Sequence, residues 1–204
     1  MIAYHWLKED MTSEYGSGKP WKIGDKRTIR GSIELCRRGY HSSPTPFDGL
    51  EYAPGPVLCL VEVSRPVESD TTKQVSHTRK LLAYVNVRRE LRQFVIDCVT
   101  RALMKEREAE REPSPRSFAA VQAAQDYLNE LISTEELGMA RSATSAVWVT
   151  RVTRAAWAAW AASATEATSA VWAASAAWAA EENKWQSVHF NELVTCKLNE
   201  VTRV

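Results

Sequence analysis

The chain has 204 residues, 45% of them hydrophobic and 25% charged, enough for one large domain or two small ones. Lys and Arg total 26 against 25 Asp and Glu, a net charge of +1. That balance excludes a global basic field for nucleic acid and an acidic surface mimicking it, and leaves room only for a local basic patch.

From the N-terminus, "IAYHW" has the composition of a first strand, and "MIAYHWLKEDM" lacks the apolar run of a secretory signal. "SGKPWKIGDKRTIRG" carries Gly, Pro and Asp and predicts turns around a short strand. "SIELCRRGYHSS" predicts a strand or turn and then a strand ending in Ser. Thr45 and Pro46 open a short helix as N-cap and first helical residue, and "APGP" stops it. "PVLCLVEVS" is an apolar run suited to a strand buried on both faces. "KQVSHTRKLLAYVNV" predicts one further strand or a pair.

From about residue 87 the pattern turns helical, with Val87, Leu91, Phe94, Val95, Cys98, Val99 and Ala102 on one face. "KEREAEREPSPR" is charged and ends in two prolines, an exposed helix end and linker. Ser114-Pro115 caps the next helix, and Ser133 with Glu136 forms a capping box for another. The hexapeptide "ATSAVW" occurs at 143–148 and again at 167–172, within a segment of Ala with regular Trp. Ala is the best helix former, and Ser163 with Glu166 offers a break. Either one long helix or two antiparallel helices, about 134–162 and 164–185, are expected, packed on the protein or presenting an Ala/Trp face for self-association or a partner. Glu166 and the frequent Ser and Thr argue against a membrane span.

The expected fold class is α+β, a small mixed or antiparallel sheet domain followed by an Ala/Trp-rich helical hairpin or bundle. The expected divisions are 1–104, a linker at 105–116, and a helical segment 117–204.

Chemistry-bearing motifs are sparse. No phosphate-binding Gly-rich loop, H-E-x-x-H or G-x-S-x-G occurs. The cysteines at 36, 59, 98 and 196 form no C-x-x-C pair, which suits reduced thiols in a cytoplasm. His5, His41, Cys36 and Cys59 match no familiar ligand spacing, so no metal is expected. His41 and Ser43 share a strand face at the two-residue period, and Ser42 takes the opposite one.

The order of these pieces resembles the core of the ADP-ribosyltransferase fold. "AYHWL" looks like its first motif. "GYHSSPTPFDGLEYA" looks like the second, with His41 at the usual tyrosine place, as in the RNA 2′-phosphotransferase branch, and Tyr52 closing the helix. "VLCLVEV" looks like the strand that follows. The resemblance covers about residues 2–95. It implies that NAD or another phosphorylated nucleoside binds between His5, His41 and Arg79. Either His would hydrogen-bond a ribose or carboxamide, and Arg79 would hold a phosphate. Those three would be the catalytic residues of an ADP-ribosyl or phosphate transfer, with Tyr4, Ser43 and Tyr52 around the cofactor. The late strand of the family presents a Glu, whereas "VSHTRKLLAYV" has His77 and Arg79 there and no acid.

The stretch from Ile33 to Val85 is also similar to an uncharacterised family of small phage and prophage proteins. The shared positions include Gly39, His41, Asp48, Tyr52, Lys73 and Arg79. That resemblance implies a phage accessory protein in the host cytoplasm, acting on host defence or host enzymes. The alternative function is a non-enzymatic module that binds a host protein through its Ala/Trp helices. Nucleic acid is not a favoured partner.

Overall fold

The computed structural model describes residues 1–145 and 180–202, apart from Ser17, Val67, Ala109 and Arg111. The architecture is α+β, with antiparallel sheets followed by helices. The expected hairpin of about 134–162 and 164–185 lies largely outside the described residues.

Ile2–Leu7 (β1), Lys26–Thr28 (β2), Val57–Val63 (β4) and Thr78–Asn86 (β7) form a four-stranded sheet in the order β1-β4-β7-β2. Tyr40–Ser42 (β3), Glu68–Ser69 (β5) and Gln74–Ser76 (β6) form a second sheet in the order β3-β6-β5. A backbone bridge joins the sheets, with Tyr4 N–H donating to Ser43 O at 2.9 Å and Ser43 N–H to Tyr4 O at 2.8 Å. The run "VLCLVEV" takes a central place because both of its faces can be covered.

The register assigns the faces. Ala3 pairs with Val61, His5 with Cys59 and Leu7 with Val57, so these six share one face. An irregularity between Leu60 and Val61 then brings Leu81 opposite Val61 and Arg79 opposite Val63 on that same side. Trp21, from the loop between β1 and β2, packs into the resulting apolar cluster. At the β2 edge, Lys26 faces Lys80 and Arg27 faces Arg79 directly across the ladder.

The opposite face is closed by aromatic packing. Trp6 donates from Nε1 to Pro46 O at 3.2 Å and lies 6.2 Å from Phe190, centroid to centroid. Pro46 opens the helix Pro46–Leu50 (α1), which carries a full capping box between Thr45 and Asp48. Gly49 suits the close approach there, because a Cβ would stand 3.0 Å from the Trp6 indole.

The remaining helices are Arg88–Glu108 (α2), Pro115–Leu128 (α3), Thr134–Ser145 (α4) and Ala180–Thr202 (α5). Helix α2 runs on into the charged stretch expected to be linker. Ser114 accepts from Arg116 N–H at the start of α3, and Ser133 and Glu136 cap each other before α4. The chain divides into two compact units. The first holds Met1–Arg88 and the part of α5 from Ser187; the second begins at Arg89 and includes the start of α5 up to Gln186. In the first unit, Phe190, Val194 and Leu198 are buried, and Asn191 Oδ1 accepts from Phe47 N–H at 2.9 Å. In the second, Ile96, Ala124, Leu128 and Leu137 form the apolar centre. No described helix is long and apolar enough to cross a membrane.

Candidate functional site

The first unit buries one arginine almost completely. Arg79 is 3% exposed, at the end of the apolar strip formed by Val61, Val63 and Leu81. It reaches that position because Arg79 is in phase with Leu81, the two lying opposite Val63 and Val61 of β4.

Its guanidinium has two hydrogen-bond acceptors. Nη1 donates to the His41 carbonyl at 3.0 Å and Nη2 to Ser13 Oγ at 3.3 Å. A guanidinium has five N–H groups, so the described partners satisfy a minority of them. Its faces meet aromatic rings, Trp21 at 4.5 Å and Tyr40 at 5.1 Å, with the two rings edge-to-face at 5.8 Å. Each cation–π contact contributes about 0.5–2 kcal/mol, whereas a buried charge lacking an ion partner costs several kcal/mol. Among the described residues no carboxylate pairs with Arg79. Burial lowers its pKa to about 10, against weaker opposing effects of Cys59 and Tyr40. Arg27, which stacks on the same indole at 3.9 Å, adds like-charge repulsion but is itself matched by Asp25 at 3.1 Å.

His5 stands on the same sheet face. Its Nε2 is sealed from solvent and has no hydrogen-bond partner. Burial, then the charges of Arg79 and His41, hold its pKa well below the usual histidine range, so the ring is neutral. The His41 backbone weakly opposes that shift. Burial likewise pushes the Cys59 thiol, opposite His5 in the ladder, up to about 12.

The other expected site residues are placed differently. The His41 imidazole is turned into the 34–38 turn, where its Nε2 accepts from Cys36 N–H at 2.9 Å. That bond makes Nε2 a lone-pair nitrogen, and burial, Lys73 and Arg79 all favour the neutral ring. His41 thus reaches Arg79 through its backbone oxygen. Tyr4 and Ser43 meet through backbone bonds, on the side of β1 that carries Trp6. Tyr52 lies beside β6, its hydroxyl 3.2 Å from Thr72 Oγ1 and its ring beneath Lys73 Nζ at 4.3 Å. His77 has Nδ1 3.1 Å from Ile29 O. Among the described residues no group of His, Cys, Asp and Glu is arranged to hold a metal.

Three residues of this site escaped the sequence reading: Ser13, Trp21 and Tyr40. The signal for Trp21 was present in "KPWKIGDKR", an aromatic residue set among cations.

Residues 1–93, which contain His5, His41 and Arg79, match the family model of a domain of unknown function, DUF7666. No curated protein and no solved structure matches the chain.

Proposed function

We propose that the domain at residues 1–93 binds a phosphorylated nucleoside such as NAD, with a phosphate at Arg79 and a ribose or carboxamide at His5. One observation carries this reading: a guanidinium buried among apolar and aromatic groups with unfilled donors and no carboxylate beside it. Folding alone gives little reason to keep such a group, since an apolar side chain of similar size would fill the same volume at lower cost. A phosphate would take the place of Ser13 Oγ, a neutral and longer contact, with two of its oxygens accepting two parallel hydrogen bonds from the fork. Trp21 and Tyr40 hold the guanidinium in place against their rings, so that its free N–H groups are fixed for an anion.

The reading keeps the ADP-ribosyltransferase-like character and the phage-type cytoplasmic setting drawn from the motifs, as a binding domain. No transfer step is assigned, because no acid among the described residues pairs with Arg79 to orient a ribose hydroxyl. The rival reading, a module that captures a host protein through Ala/Trp helices, rests mainly on residues 146–179, outside the described residues.

Titration calorimetry of the full chain with NAD, ADP-ribose and AMP tests the proposal. Saturable binding is expected for at least one of them, weakened tenfold or more by Arg79→Met. Absence of heat for all three, or equal affinity in Arg79→Met, would overturn it.

A further inference from the structure

The net charge of +1 disfavours nucleic acid for the chain as a whole, but it hides a local concentration. Between Lys19 and Arg38 stand seven cations and two acids. Both acids are engaged, Asp25 with Arg27 at 3.1 Å and Glu34 with Arg37 at 3.2 Å. Strand β2 arranges part of the remaining charge. Exposure alternates along it: Lys26, Thr28 and Arg30 are exposed, while Arg27 and Ile29 are half-buried. Ile29 N–H donates to His77 O and Leu81 N–H to Asp25 O, so Arg27 and Arg79 form a hydrogen-bonded pair of the ladder. Lys26–Lys80 and Thr28–Thr78 are therefore the non-hydrogen-bonded pairs, where facing side chains come closest. The hydroxyls of Thr28 and Thr78 stand 3.1 Å apart. Arg38 adds a cation beside Arg30, its guanidinium held by the carbonyls of Arg30 and Ser32.

Each of these outward side chains offers a hydrogen-bond donor, and four of them are cations. Glu62 of β4 faces Lys80 across the next ladder, yet among the described residues no ion pair engages Lys26, Arg30, Arg38 or Lys80. Two lysines set across a ladder weaken it. A polyanion lying along the row turns that repulsion into attraction. We infer that this row binds a single-stranded nucleic acid through its phosphodiester backbone. The surface is separate from the Arg79 site, because Lys26 and Lys80 alternate with Arg27 and Arg79 and so take the other side of the sheet. Successive outward positions on a strand are about 6.8 Å apart, close to the spacing of phosphates along an extended chain. The cations neutralise phosphates, and the threonine hydroxyls between them donate to phosphate oxygens. The side chains of the row include no apolar centre of the kind a protein interface buries. All these contacts are to the backbone, so binding is independent of base sequence.

Fluorescence anisotropy of a labelled oligouridylate of about 20 nucleotides, on the full chain, tests the inference. Saturable binding is expected at low salt. Log K should fall with log salt at a slope of about −2 to −3, the value for three or four phosphates neutralised on a single strand. The double variant Lys26→Gln/Lys80→Gln should bind about tenfold more weakly, with the slope shallower by about 1.4. Its urea midpoint should equal or exceed that of the wild type, since a repulsive pair is gone. Arg30→Gln, outside the ladder pairs, should weaken binding in the same direction without touching the sheet. Absence of saturable binding, or affinity unmoved in both variants, would overturn the inference. Equal or tighter binding to phosphatidylserine vesicles or to polyglutamate would also overturn it, making the row a membrane or acidic-protein contact instead.

Discussion

The two faces of the four-stranded sheet are built from the same strands and do different work. On one face, Trp6 has its N–H satisfied by Pro46 and its ring set against Phe190, with Gly49 admitting the close approach. Every polar atom named there has a partner. On the other, the apolar strip of Ala3, Leu7, Val61 and Leu81 ends in a charged group and an imidazole nitrogen whose bonding capacity is unfilled. Strict alternation along a strand lets one side carry stability while the next residue carries chemistry. A residue that lowers stability without an evident compensating contact is where function is to be sought.

Substitutions should separate the faces. Trp6→Ala removes a buried indole and should cost about 3–5 kcal/mol in chemical denaturation. A loss below about 1 kcal/mol would remove the Trp6 face from its stabilising role. Gly39→Ala places a Cβ 2.2 Å from Val75 Cγ2 at a φ of +136° and should cost about 1–3 kcal/mol, since β3 and β6 must shift apart.

The pH dependence comes from the Arg79 side. His5 and His41 both have folded pKa values below the unfolded value of about 6.5, so the unfolded chain binds more protons as the solution is acidified. Their contribution is therefore complete above about pH 6.5 and is lost as pH falls below it, each with a slope of at most about 1.4 kcal/mol per pH unit. Urea midpoints at pH 7.5 and pH 5 should differ for the wild type and differ less for His5→Gln. An unchanged difference would show that His5 does not titrate with folding. Thr45→Ala, which removes the N-cap of α1, should cost about 1 kcal/mol by the same measurement. Arg79→Met should be the smallest of all, neutral or slightly stabilising, since a thioether chain suits an apolar cluster better than an unpaired cation. A loss comparable to that of Thr45→Ala would instead make Arg79 a structural residue.

The legible parts of the molecule were those with local causes. The capping box of Thr45 and Asp48, the dense apolar run of β4 and the helical spacing after Val87 each lie within a few residues of one another. Arg79 was legible too, as an arginine in a strand where an acid was expected. The loop that covers it was not. Ser13 and Trp21 meet Arg79 across 66 and 58 positions of chain, through a segment of turns with no period to read. His41 illustrates the same limit. Its place in β3 followed from the motif, but the direction of its ring follows from the turn at Cys36, whose φ of +66° aims the backbone N–H at Nε2.

The β2 edge has a further consequence, for how these molecules keep apart. At the other edge, β1 is bridged to β3 through Tyr4 and Ser43, while β2 has no outer neighbour among the described residues. A bare strand edge is a template on which another chain can pair. Here it is three residues long and carries Lys26 and Arg27, each set opposite a second cation on β7. Like charges facing across a ladder weaken it. They also repel the same edge of an approaching copy, so the price of that weak pairing is repaid as resistance to edge-to-edge aggregation.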